Sequence, residues 1–146
     1  MRHPIFLLGC LFALTLNWAQ PGMAQPAAAL AEGQQLAAAG DIKGALGVYE
    51  ELTRTHPDWP EAFAHLGGMQ LLDQRYADAV KSFQRAIMLG DPQARPFIGM
   101  GMAYLHMGQL GAARAAFVEA RSRSSDQSED IDGIITWIDS RDSTGP

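Results

Sequence analysis

Two histidine–methionine pairs are the residues of this chain best suited to ligand chemistry. His65 and Met69 stand four apart, as do Met102 and His106, with Met100 and Met107 nearby. Side chains at that spacing share a helix face, and thioether with imidazole forms a soft ligand set that suits cuprous copper. Methionine is also a common filler of irregular helical contacts. No dense methionine–histidine run accompanies these pairs, so packing is the stronger reading and neither a metal nor a cofactor is expected. His56, before Pro57, reads as a solvated loop histidine. Groups for catalysis are missing. Gly99, Gly101 and Gly108 fall at packing or turn positions rather than in a phosphate loop, and no serine has a nucleophile-elbow context. The acids Glu50, Glu51, Glu129, Asp130 and Asp132 lie on faces expected to be solvated, whereas general acid–base pairs need a buried setting. The chain is not expected to be an enzyme.

The elements that position these residues repeat. Gly33, Gly67 and Gly101 recur every 34 residues, and so do Ala45, Ala79 and Ala113; Tyr49, Phe83 and Phe117; and Leu52, Ala86 and Ala120. A period of this length marks a repeat array, and such arrays make binding surfaces. Apolar spacing in the second unit (60–93) predicts a helix over 60–72, a polar turn at Asp73-Gln74-Arg75 and a helix over 76–88, closed by Gly90-Asp91-Pro92. The third unit (94–127) repeats this around a Gly108-Gln109 turn. The first (26–59) predicts helices from Ala27 to Ala39 and from Ile42 to Thr55, with a turn at Gly40-Asp41. The small residues have a packing reason: Gly67 and its equivalents let the two helices of a unit approach, and Ala79 and its equivalents face that contact. Tyr49, Phe83 and Phe117 then fill the space between one unit and the next. After a serine-rich stretch, Ile131, Ile134, Ile135 and Ile138 form an apolar stripe with Asp132 and Asp139 facing away. This predicts a capping helix over 128–140 and a tail over 141–146. Trp137, off the stripe centre, either covers its edge or is an exposed contact.

The first 24 residues read as a cleavable signal peptide. Arg2 and His3 precede an apolar run from Ile5 to Leu16, and Gly22-Met23-Ala24 offers small residues for cleavage after Ala24. The run is short for a bilayer span, which needs roughly 20 apolar residues. An uncleaved N-terminal anchor is the lesser possibility. Cys10 follows Leu7-Leu8-Gly9 in the manner of a lipoprotein box, but the apolar run continues past it, so it reads as part of the signal core. The mature chain then has no cysteine. The net charge of −5 becomes one unit more negative when Arg2 is removed. With its scattered basic residues, the chain is not expected to bind nucleic acid.

These repeats resemble tetratricopeptide repeats, with Phe63, Leu66, Gly67, Ala79, Phe83 and Ala86 matching the family pattern in the second unit. The first unit departs at Ala29 and Glu32, and the third has Ser125 in place of the closing proline. The resemblance implies an all-α fold: a right-handed superhelix of three helix-turn-helix (TPR) repeats plus the C-terminal capping helix. It implies a concave groove on or near which Gln34, Ala38, Ala64, His65, Gly68, Leu72, Arg95, Ile98, Met102, Leu105 and His106 lie. Such a groove suits an amphipathic helix or an extended apolar segment. The best-known peptide-clamping members hold a ligand with asparagines and with a set of lysines and arginines for its terminal carboxylate. Here the one asparagine is Asn17, and Arg95 is the one basic residue at a matching position, so a carboxylate clamp is not expected. The expected function is protein–protein binding, as an adaptor or assembly factor of the bacterial envelope exported to the periplasm. The partner is a protein or peptide rather than a small-molecule substrate. Self-association through the groove is the runner-up, and copper binding by the histidine and methionine residues is the alternative of a different class.

Overall fold

The fold follows from where the chain can start and stop helices. The computed structural model describes residues 21–124 and 128–142, and the expected signal core with Cys10 lies outside them. Seven helices run in order: α1 (Pro21–Ala38), α2 (Ile42–Thr55), α3 (Pro60–Leu72), α4 (Tyr76–Met88), α5 (Arg95–His106), α6 (Leu110–Arg123) and α7 (Ser128–Asp142). Among the described residues, none of these is long and apolar enough to cross a membrane. Pro60 and Pro96 open α3 and α5, where a missing amide proton costs nothing. Asp41 caps α2 by accepting from the Gly44 amide at 2.9 Å. The helix α1 begins before the expected Ala27 and carries Pro26 inside it. Its alanine-rich sequence has high helix propensity.

The turn inside each unit is built the same way three times. Gly40, Gln74 and Gly108 occupy the equivalent position, with φ of 80°, 63° and 72°. After each, an amide reaches back over the turn: Asp41 to Leu36 O at 2.9 Å, Arg75 to Gln70 O at 2.8 Å, and Gln109 to Tyr104 O at 2.9 Å. That bond closes a helix whose next residue is left-handed. Gln74 does this without glycine's freedom, at a cost of roughly 1–2 kcal/mol.

The helices pack as stacked hairpins, each on its neighbours in sequence, with α3 also touching α5. The core is accordingly three clusters in a row. Tyr49 and Leu66 anchor one beneath α1–α3, Phe83 and Ala103 anchor one beneath α3–α5, and Phe97, Phe117 and Ile138 anchor one beneath α5–α7. The equivalent alanines Ala45, Ala79 and Ala113 are fully buried.

The repeated glycines act on a ring rather than on a facing backbone. A Cβ at Gly33 would lie 2.6 Å from the Tyr49 ring, at Gly67 2.8 Å from Phe83, and at Gly101 2.7 Å from Phe117. The aromatic residues therefore seat on the first helix of their own unit. Phe83 also reaches the next unit, because a Cβ at Gly99 would collide with the edge of its ring.

At the C-terminal end, Ile131, Ile135 and Ile138 are buried, as the stripe predicts. Asp132 and Asp139 are exposed, as expected, but they are not free. Arg121 meets Asp132 at 2.7 Å and Arg114 meets Asp139 at 2.6 Å, so both acids tie α7 to α6. A stripe flanked by acids on a lone helix gives no sign of arginines arriving from another one.

The same substitution should have opposite signs at two glycines. Gly101→Ala drives a methyl group into the fully buried Phe117 ring and is expected to destabilise by about 2 kcal/mol. Gly47→Ala, in the middle of α2 with open space around it, should stabilise by about 1 kcal/mol through helix propensity. Urea unfolding followed by circular dichroism checks both.

Candidate functional site

The first helices of the units line one face, and there the structure brings six of the expected groove residues, Ala64 among them, into one cleft. His65 and Gly68 from α3 and Arg95, Ile98 and Met102 from α5 line a cavity of about 300 Å³, with Ala64, Met69, Leu71 and the Phe83 ring completing it. Its floor is apolar. Nothing lies within 4 Å of where a Cβ at Gly68 would sit, so the missing side chain is part of what keeps the cleft open.

Polar groups gather at its α1 side. His65 occupies the repeat position that Gly99 holds in the next unit. Where Gly99 yields to Phe83, the imidazole instead stacks on the Tyr49 ring, with centroids 5.2 Å apart and planes 16° from parallel. Gln34 Nε2 lies 3.3 Å from His65 Nε2, so Gln34 joins the cleft through this hydrogen bond. Glu61 Oε1 stands 3.8 Å from the same nitrogen. Beneath them the Tyr49 hydroxyl, which Phe83 and Phe117 lack, is buried without a hydrogen-bond partner among the described residues. Burial pushes the Tyr49 phenol up. Burial, helped by the positive charge of Arg95, holds His65 below the usual imidazole value despite Glu61.

A second cleft of about 480 Å³ continues the groove past Met102. It lies between α5, which contributes Met102 and Leu105, and α7, which contributes Glu129, Asp130, Gly133, Ile134 and Trp137. The Trp137 side chain is 47% exposed, with the Arg141 guanidinium over its ring at 5.0 Å. Trp137 thus stands among the exposed large hydrophobics and lines this cleft. The expected groove includes no residue of α7; Trp137, off the stripe centre, was the available signal.

The remaining expected residues lie outside both clefts. Ala38, Leu72 and His106 sit at or next to the C-terminal ends of α1, α3 and α5. Leu72 is 61% exposed and so is no part of the core. The His106 ring stacks on Tyr76 with planes 1° apart and centroids at 4.6 Å. Of the methionine–histidine pairs, His65, Met69 and Met102 share the first cleft, whereas His106 does not join them. No cluster of three histidine, cysteine or acidic ligands exists among the described residues. Two larger depressions, of about 530 and 520 Å³, open at the α1–α2 end against Pro26, His56 and Trp59.

A sequence profile of the tetratricopeptide repeat family matches residues 30–97. No curated protein matches the chain. Solved structures match its fold at low identity. A type III secretion complex from Aeromonas hydrophila is 14% identical with a TM-score of 0.81, covering 84% of this chain and 86% of that one. The Yersinia enterocolitica chaperone SycD, solved with a peptide of the translocator YopD, is 14% identical with a TM-score of 0.76, covering 81% and 95%. The TPR2B domain of yeast Sti1 in its complex with pHsp70 is 16% identical with a TM-score of 0.75, covering 80% and 98%. Residues 30–97 thus carry tetratricopeptide repeats, and the chain folds as an all-α right-handed superhelix of three hairpins and a capping helix. Its fold is that of a protein-interaction module.

The His65 shift has a definite sign. Folding favours the neutral imidazole, so the unfolded chain binds the proton more readily and stability rises with pH where the two states differ. Stability from this group is complete above the unfolded value of 6.5 and is lost as pH falls through the lower folded value. Urea midpoints of the protein and of His65→Gln, measured from pH 8 to 5, should diverge in slope below about pH 6.5, with the variant the flatter.

Proposed function

We propose that this protein is an adaptor or assembly factor of the bacterial cell envelope, exported by its N-terminal segment, that binds a helix or extended segment of a partner protein in its concave groove. The observation that carries this reading is the open apolar cleft around Gly68, floored by Ile98 and Met102 and edged by His65 and Arg95. An apolar floor supplies burial for a partner side chain, at roughly 25 cal/mol per Å². The edge groups fix orientation by hydrogen bonds and charge.

The similar folds support it by what they hold: SycD a peptide of YopD, and the Sti1 domain pHsp70. The residues of this chain favour an internal partner segment over a terminal carboxylate, because the groove has no asparagine and Arg95 stands without further lysines or arginines in the cleft. Export to the periplasm rests on the basic start, apolar run and small-residue site of residues 1–24. Binding without catalysis is the whole of the proposed activity.

The test separates binding from folding. Gly68→Leu fills the cleft from a Cβ position with nothing within 4 Å and is expected to raise stability by roughly 0.5–1 kcal/mol, since it removes a mid-helix glycine. Crosslinking capture from periplasmic extract, with the protein beside Gly68→Leu and Leu72→Glu, should yield a partner that the more stable Gly68→Leu variant loses. Leu72→Glu, at an exposed position, should keep its helical content and weaken capture. A partner retained by both variants moves the working surface away from the groove.

A further inference from the structure

Charge in the groove is not evenly placed, and the imbalance says what kind of segment it takes. Four of the charged residues of α6 and α7 neutralise one another across their contact, as Arg114 with Asp139 and Arg121 with Asp132. Glu129 and Asp130, in the first turn of α7, have no such partner among the described residues. Both are exposed and line the second cleft, beside an apolar floor made by Met102, Leu105, Ile134 and the half-exposed Trp137. Met102 is shared by both clefts, so the apolar floor is continuous. Along α5, Arg95 at the start and Leu105 ten residues on are separated by about 15 Å of helix rise. The first cleft thus carries Arg95, with Glu61 near His65 at its α1 side, and the second carries Glu129 and Asp130, with Arg141 over the outer Trp137 ring.

We infer that the cleft between α5 and α7 is a specificity site for a partner segment in which a bulky apolar side chain is flanked by a lysine or arginine. The inference rests on the groove being the binding surface. The apolar side chain seats against Met102, Leu105 and the indole of Trp137, which offers a large rigid contact at low entropic cost. Its basic neighbour comes beside Glu129 and Asp130, and an acidic neighbour would meet like charge, which is how a rim discriminates between segments.

Random dodecapeptides displayed on phage and selected on the purified protein test this directly, with the variants Glu129→Lys/Asp130→Lys, Glu129→Gln/Asp130→Asn and Gly68→Leu selected in parallel. Folding of each is checked by circular dichroism. The expected result is enrichment of an aromatic or aliphatic residue next to lysine or arginine. Charge reversal should turn that preference towards aspartate or glutamate. The neutral variant should weaken the selected peptides about five- to tenfold at low salt, a difference that fades at high salt. Peptides that are enriched on the protein and lost on Gly68→Leu, but carry no basic preference, overturn this inference and leave the groove as the binding surface. Enrichment indifferent to all the variants overturns both. Concentration-dependent dimers in light scattering that Trp137→Ala abolishes would give the cleft to a second copy and overturn the inference.

Discussion

The seating of an aromatic ring on a glycine, once per hairpin, is the contact on which the rest of this molecule depends. Tyr49 on Gly33, Phe83 on Gly67 and Phe117 on Gly101 leave no room for even a methyl group. Each pair fixes how closely the second helix of a unit approaches the first, and so fixes the tilt of the hairpin. Close packing of this kind tolerates little error, because interiors are as dense as organic crystals. Phe83 goes further and reaches Gly99 of the next unit, so the same ring sets both the shape of one hairpin and its distance from the following one.

The groove inherits its character from this packing. The superhelix is quasi-one-dimensional, each hairpin touching only its neighbours, so the first helices are left side by side with one face free. What stands on that face varies although the scaffold does not. Position by position, the repeat offers His65 where the next unit has Gly99, Gln34 where the others have Gly68 and Met102, and Glu61 where the next has Arg95. Polar groups therefore cluster between α1 and α3, and the floor turns apolar towards α5. The last helix extends the series: α7 packs on α6 and shares a cleft with α5, in the place a fourth unit's first helix would take. A segment read from its buried isoleucines as a lid over the array is also the far wall of the groove.

Most of the fold was legible in the residues, and the reasons are local. The 34-residue spacing of glycine, alanine and aromatic residues, the Gly40 and Gly108 turns, and the prolines at helix starts each state a backbone or packing requirement in a single residue type. Gln74 is the exception: it holds a left-handed turn with no glycine to announce it, and the register of the repeat gives it away. The candidate site was legible only as a face. His65, Gly68, Arg95, Ile98 and Met102 converge, whereas Ala38, Leu72 and His106 share the same helix face without joining the clefts, because they stand at the ends of their helices. The ion pairs of Asp132 and Asp139 were not legible for a related reason: their partners, Arg121 and Arg114, belong to the preceding helix, and nothing in a helix's own pattern says which charges will face it.

The sequence by itself determined the class of structure, since helical periodicity, turn residues and a repeating small–aromatic code act over one turn or one hairpin and leave a trace at every unit. It also determined that the exposed face would be apolar with few charges. Only the tertiary structure decided where that face closes into clefts, that Tyr49 would carry an unpaired buried hydroxyl beneath His65, and that Trp137, Glu129 and Asp130 would stand across from Met102 and Leu105. Those facts depend on the angle at which one hairpin meets the next. That angle is set by side chains from three helices at once, a many-body packing condition that no single stretch of sequence encodes.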